Sequence, residues 1–449
     1  MENKTNDNKG KMSLTAKVLV GLVAGIVLGL FINILSLNPQ GGFIDTYITN
    51  GLFHIVGKMF VNALKMMVVP LVLFSLICGV CGIGDLKALG RVGSKSFVLY
   101  LLTTAIAIAV AITIASISGI GSGMSMATDT VFAGREAPPL SQVLIDIIPN
   151  NPVNALSEGE MLQIIFFAIL MGVCILMVGR PAKKVVELVE VLNEIMMKMV
   201  TLIMEIAPYA VFCLIAKAMA NLGLELFAQL IGYVLVLIGI LLLHLFVTIQ
   251  AVLKIFSGLS PIKFMKKMRG PQVFAFSTAS SNATIPVTLR TVTERLGVKN
   301  SVASFTVPFG ATINMDGTAI MQGVATVFIA NIYGIDLGFG GYLTVIVMAV
   351  LASIGTAGVP GVGLIMLSMV FTQVGLPLEG IGLILGVDRL LDMVRTAVNV
   401  TGDAAVSCIV AKSEGKLDEA VFNDPRAGVI SGVEIDHDAE EELADIAKG

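Results

Sequence analysis

The stretch Asp388-Arg-Leu-Leu-Asp392-Met-Val-Arg395-Thr-Ala-Val-Asn399-Val-Thr-Gly-Asp403 sets charged and amide side chains inside an otherwise apolar run. On an α-helix, Asp388, Asp392, Arg395, Asn399 and Asp403 fall within an arc of roughly 80° on one face. An ionisable group at membrane depth costs on the order of 2.5–3.5 kcal/mol on insertion scales, so such groups face a cavity and serve a function. A carboxylate such as Asp392 pairs with an ammonium group. Arg395, one turn along, grips a carboxylate through two parallel hydrogen bonds. A ligand with one amine and an extra carboxylate suits both. The plainer alternative is that the acids only neutralise Arg389 and Arg395.

A second group lies upstream. Asn314 and Asp316, together with Asn399 and Asp403, supply hard oxygens. Carbonyls of Gly310 and Asn399, if the helices unwind there, complete the coordination of a small cation.

These residues need elements to hold them. Helices of about 20 apolar residues cross a bilayer, and six ordinary spans are expected at 14–36, 51–81, 96–121, 140–179, 196–220 and 227–254. Pro149-Asn-Asn-Pro152 and Ser157-Glu-Gly-Glu160 interrupt the fourth, which should break into short pieces. The N-terminus is polar to Ser13, and the apolar run after it is too long for a signal-peptide core, so it reads as a retained first span. Segments 1–17, 82–95, 180–198, 254–269 and 290–299, with the tail after 411, hold 23 of the 29 Lys and Arg. That bias puts both termini in the cytoplasm.

Segment 271–289 is flanked on both sides by cytoplasmic-type charge and has the polar middle Ser277-Thr-Ala-Ser-Ser-Asn-Ala-Thr284. It must dip in and return, as a re-entrant hairpin. Segment 342–377 repeats the design from the outside, with Ser353-Ile-Gly-Thr-Ala-Gly-Val-Pro-Gly361 at its tip. After each hairpin comes Asn-x-x-Gly beside an Asp, at Asn314–Gly317 and Asn399–Gly402. Repeats of opposite topology with broken helices near the midplane are the build of a secondary transporter.

Composition agrees. The 449 residues are 56% hydrophobic and only 14% charged, with a mean hydropathy of +0.91; soluble domains carry about 25% charged residues. The net charge of −3 and the lack of a basic arm argue against a nucleic-acid partner. Cys78-Gly-Val-Cys81 has redox-motif spacing but ends an apolar helix, and the three histidines form no metal or triad pattern. No nucleophile–base pair supports an enzyme. The acidic tail after 417 reads as disordered and cytoplasmic.

Asn314-Met-Asp-Gly-Thr318, the 353–361 tip and the Asp392–Asp403 run resemble the signatures of the dicarboxylate/amino acid:cation symporters, which include archaeal aspartate transporters and animal excitatory amino-acid transporters. The likeness runs from the first span to about Lys412. It implies an all-α polytopic membrane protein of the inner cell membrane, with eight transmembrane helices, two re-entrant hairpins and inverted repeats. It also implies a homotrimer with an elevator mechanism. The six spans of 14–254 would divide into a trimeric scaffold (helices 1, 2, 4 and 5) and two that move (3 and 6). A transport core would follow at 255–414: hairpin 1 near 260–292, helix 7 near 298–331, hairpin 2 near 340–377 and helix 8 near 380–412. Residues 1–13 and 415–449 would be cytoplasmic tails.

Carried over by the same resemblance, Asp392 would bind the substrate amine and Arg395 the side-chain carboxylate. Asn399 and the Ser281 backbone would hold the α-carboxylate, at a hairpin tip that includes Ala279 and Ser280. Thr318, Val359, Pro360, Gly361, Gly363 and Thr396 would line the pocket. Sodium would be the coupling ion, held at three sites: Gly310, Asn314, Asn399 and Asp403; Thr312, Met315, Ser353, Ile354 and Thr356; and Tyr100, Thr103 and Thr104 with Asn314 and Asp316. The first hairpin reads Ala279-Ser-Ser-Asn-Ala283 where relatives often have Arg before a Ser-Ser-Ser-Gly tip. Arg389 either replaces that charge or pairs with Asp388. A proton-coupled carrier, a C4-dicarboxylate carrier that would not need Asp392, a neutral amino-acid carrier that would not need Arg395, and an anion channel share the fold.

Overall fold

Gly21, Gly25 and Gly29 recur every four residues on the first helix, α1 (Leu14–Ile34), and they decide how it packs. A Cβ at Gly21 would stand 2.4 Å from the Pro208 carbonyl oxygen, and one at Gly25 would stand 2.7 Å from that of Phe212. Membrane helices gain little by hiding apolar surface from lipid, so small residues that let backbones approach carry the packing. The partner is α6 (Lys183–Leu243), whose first arm lies along α1.

The structure, a computed structural model, describes residues 14–35, 37–39, 41–81, 89–123, 145, 148–354, 356, 358 and 360–428. Residues 1–13, 36, 40, 82–88, 124–144, 146, 147, 355, 357 and 429–449 lie outside them, as does Val359, one of the expected pocket residues. The described residues are helical apart from turns and one isolated bridge, Val298 to Leu417.

After α1 come α2 (His54–Cys81), α3 (Ser94–Ser118), α4 (Pro152–Glu158), α5 (Met161–Val178) and then α6. Gly223, at φ 61° and ψ −143°, breaks α6 into arms 183–222 and 224–243. A π-helical turn, His244–Thr248, passes into α7 (Ile249–Ser257). Among the described residues, five helical stretches are long and apolar enough to cross a membrane: Ala16–Ile34, Ile44–Cys78, Arg91–Ser118, Arg180–Asn221 and Ala228–Ser257. Among the described residues, the expected fourth span is broken into short pieces, as the sequence suggested: a short apolar helix, Gln163–Val178, follows a separate α4 that Asn151 caps by accepting from the Val153 and Asn154 amides. Much of the basic 180–198 segment, from Lys183 on, forms the first turns of α6, with Val186 and Val189 on its inner side, after a 3-10 turn at Arg180–Ala182.

Two helical hairpins follow, α8 (Pro261–Thr278) with α9 (Ser281–Arg290), and α12 (Gly338–Ser353) with α13 (Val362–Val374). Between them run α10 (Asn300–Ile313) and α11 (Asp316–Ile332), and after them α14 (Gly380–Ser413) and α15 (Glu419–Asn423). Asn314 and Met315 are non-helical, so α10 and α11 are one helix interrupted. In contrast α14 runs unbroken through Asn399, where unwinding was expected. No proline interrupts it, and Thr401 and Ser407 hydroxyls donate back to the Ala397 and Asp403 carbonyls within the turn.

The start of the C-terminal tail is folded, contrary to the expectation of disorder. The Lys299 amide donates to the Lys416 carbonyl at 3.0 Å and the Asp418 amide to that of Gly297 at 2.7 Å. Gly297 must be glycine: its φ is 75°, and a Cβ would stand 2.3 Å from the Asp418 carbonyl oxygen. Asp418 caps α15 through the Ala420 and Val421 amides. Phe422 is buried, with the Lys267 ammonium 5.8 Å from its ring centre. Lys267 also donates to the Arg295 and Val421 carbonyls, tying the tail to both ends of the first hairpin. At the end of α14, the hydrogen bond from Lys95, at 2.5 Å, holds the Glu414 carboxyl below the usual range.

Candidate substrate and ion site

The two Asn-x-x-Gly motifs lock across one another. The Gly317 amide donates to Asn399 Oδ1 at 2.7 Å, and Asn314 Nδ2 donates to the Asn399 carbonyl at 3.2 Å and to Asp403 Oδ1 at 2.9 Å. Each glycine makes room for the other repeat. A Cβ at Gly317 would stand 2.7 Å from the Arg395 carbonyl oxygen, and one at Gly402 would stand 2.5 Å from Asn314 Nδ2. This close crossing at the interrupted helix explains the repeated motif physically. Gly310 likewise makes room at an earlier turn: a Cβ there would meet Asp403 Oδ1 at 2.5 Å and the Tyr100 hydroxyl at 2.8 Å.

Arg395 lies on the α14 face predicted from the sequence and is fully buried. Its Nη1 donates to Asp388 Oδ1 at 2.8 Å and its Nη2 to Asp392 Oδ1 at 2.9 Å. Asp388 pairs with Arg395, and Arg389 Nη1 stands 3.8 Å from Asp392 Oδ2. The seven-residue spacing brings Asp388 under the long arginine side chain two turns on. Arg395 Nε and Asp392 Oδ2 have no hydrogen-bond partner among the described residues. Gly363 and Thr318 border the guanidinium; a Cβ at Gly363 would stand 3.4 Å from both Arg395 Nη2 and Thr318 Cγ2. Thr396 is buried and donates to the Asp392 carbonyl at 2.7 Å.

The hairpin tips meet at Gly358. Its carbonyl accepts from Ser280 Oγ at 2.7 Å and from the Asn282 amide at 3.1 Å. Ser280 also caps α9 by accepting from the Ala283 amide at 3.2 Å. Ala279 turns the chain at φ 49°, and Ala279, Ser280 and Ser281 are all buried. Pro360 is half-buried, and Gly361, at φ 88°, lies against Met204 of α6. Among the described residues no hydrogen bond joins the tips to Arg395.

The three expected ion groups fare differently. Asn314, Asp403, the Asn399 carbonyl and Gly310 converge at the crossing of the two motifs. Asp316 Oδ1 accepts from Thr104 at 2.6 Å and from Thr103 at 3.4 Å, and Thr103 reaches Asn314 Oδ1 at 3.5 Å. Tyr100 is buried beside them and donates to the Thr306 carbonyl at 2.9 Å. These buried neutral and anionic oxygens are the donor set a hard monovalent cation takes. Thr312, Ser353 and Thr356 instead donate to their own helices, at Phe309, Val350 and Ala352. Ile354 is buried at the end of α12, and Met315 Sδ receives Asn399 Nδ2 at 3.3 Å. Within this group, among the described residues, the Thr356 amide donates to the Ser353 carbonyl at 3.4 Å.

His244 was missed. Its Nε2 lies 3.0 Å from Asp316 Oδ2, both side chains being buried. A lone histidine has no metal or triad spacing, but an ionisable ring inside the 227–254 span was itself the signal.

A model of the sodium:dicarboxylate symporter family matches residues 14–413. A proton/sodium-glutamate symport protein of Geobacillus stearothermophilus is 34% identical over 91% of this chain and 96% of its own. The proton/glutamate-aspartate symporter of Escherichia coli (strain K12) is 35% identical over 91% and 94%. A C4-dicarboxylate transport protein of Bacillus subtilis (strain 168) is 29% identical over 91% and 95%. With nearly its whole apolar length matched, this chain belongs to the sodium:dicarboxylate symporter family, a family of membrane transporters and not of enzymes.

Proposed function

We propose that the protein takes up acidic amino acids, aspartate or glutamate, in symport with sodium. The observation that carries this reading is the buried Arg395 between Asp388 and Asp392, with Asp392 Oδ2 and Arg395 Nε without a hydrogen bond among the described residues. A substrate with an ammonium and a distal carboxylate can exchange for the internal pair. Its carboxylate takes the guanidinium from Asp392, and Asp392 takes the ammonium. No charge is left bare at any stage, which matters where removing one partner of a buried pair costs about 3–5 kcal/mol. Asn399 and the Ser281 backbone would hold the α-carboxylate. Sodium ions would sit with Asn314, Asn399 and Asp403, with Thr103, Thr104 and Asp316, and beneath the outer hairpin.

In this reading both termini are cytoplasmic, the carrier is a homotrimer in the inner membrane, and 255–414 moves as an elevator against a scaffold built within 14–254. A second reading, C4-dicarboxylate transport, is favoured by the name of the Bacillus subtilis relative; it leaves Asp392 without an ammonium to bind. Radiolabelled aspartate uptake into proteoliposomes, with and without a sodium gradient, tests the proposal. Uptake that needs sodium supports it. Uptake of succinate but not aspartate supports the second reading, and aspartate uptake driven by a proton gradient alone replaces sodium with protons.

A further inference from the structure

We propose that His244 is a positioning residue for the cation site, holding the Asp316 carboxylate in the plane that aims its charge at Thr103, Thr104 and Asn314. The inference rests on the sodium-coupled reading above. Asp316 is the first residue of α11, directly after the interruption at Asn314 and Met315. Its side chain therefore starts from a backbone that the helix ladder does not brace on the N-terminal side. Thr104 and Thr103 donate to Oδ1 at 2.6 and 3.4 Å, and they alone would leave the carboxylate free to turn about that oxygen. His244 engages the other oxygen, Oδ2, at 3.0 Å. With both oxygens held from opposite helices, the plane is fixed.

The fold places His244 for this contact. It follows Tyr233, Leu237 and Leu241 on the buried stripe of the second α6 arm, where another leucine would fill the space. It also opens the π-helical turn His244–Thr248, and such turns mark functional positions within helices. Among the described residues no group of three His, Cys, Asp or Glu could hold a metal ion, so the pair is not a transition-metal site. An imidazole suits the role better than lysine or arginine. With its proton on Nε2 it offers the carboxylate one hydrogen bond and brings no fixed charge of its own. Partners of this outer kind, when removed, typically weaken metal affinity on the order of 10–100-fold.

The test measures sodium binding to the purified carrier without amino acid, by calorimetry and by sodium-dependent thermal stabilisation against choline. His244→Leu and His244→Met remove the donor, and His244→Gln keeps one. Sodium affinity should fall about 10–100-fold in the first two and recover largely in His244→Gln. Aspartate affinity at saturating sodium should match wild type in all three, which a general packing defect would not allow. Wild-type sodium affinity in folded His244→Leu or His244→Met overturns the inference, and so does an equal loss in His244→Gln. If neither apolar variant folds, His244→Gln decides alone: affinity within a few-fold of wild type supports the inference and a larger loss overturns it. A wild-type carrier that shows no response to sodium fails the functional reading itself, before any variant is compared.

Discussion

Arg395 and Asp392 are the residues on which substrate recognition turns, and they make opposite predictions. Arg395→Cys should abolish uptake of acidic amino acids and admit small neutral ones, measured as competition for labelled substrate. It should also destabilise the fold by about 3–5 kcal/mol, because Asp388 and Asp392 are left buried without a cation. Asp392→Asn should lose substrate affinity at least tenfold through the lost charge-assisted bond, while sodium titration of the empty carrier stays at wild-type affinity. Equal loss of both would make Asp392 a cation ligand. These side chains were legible in the sequence because charge inside an apolar run is costly and therefore conspicuous. Their internal pairing was not. A spacing of seven residues fits Asp388 to Arg395, but spacing alone cannot say whether a long side chain reaches along its own helix or out to a ligand. His244 escaped notice for a related reason: its partner lies 72 residues away, on another helix.

Among the elements, the apolar helices and both hairpin turns could be read from hydrophobic run length and small polar tips. The interruption of α10–α11 and the continuity of α14 could not be separated, since both carry the same Asn-x-x-Gly motif. What distinguishes them is the crossing, in which Asn314 leaves its helix to bond Asn399 and Asp403. The folded segment 415–423 was hidden by its charged composition, and one aromatic residue anchors it. Phe422→Ala should destabilise the first hairpin by about 3–5 kcal/mol, the usual cost of truncating a buried phenylalanine. Hydrogen exchange of the 291–298 amides should rise in that variant. Unchanged exchange there would mean the tail lies on the hairpin without supporting it.

At the scale of the molecule, the space beside the acidic pair is small. The cavity beside Asp388, Arg389 and Asp392, bounded by Met204 and Gly361, is about 20 Å³, room for one water and not for an amino acid. In the proposed reading, substrate would enter when Gly361, at the second hairpin tip, moves off Met204. That tip would also lend carbonyls to a cation, so each ligand would stabilise the closed arrangement that the other needs. Linkage is reciprocal, and a coupling of about 1–3 kcal/mol is typical. The most direct test is the calorimetric affinity for aspartate at several sodium concentrations, with choline holding ionic strength constant. Affinity should climb steeply with sodium and be indifferent to choline. An affinity that is flat across the sodium series would contradict sodium coupling, and one that follows pH instead would mark a proton-driven carrier.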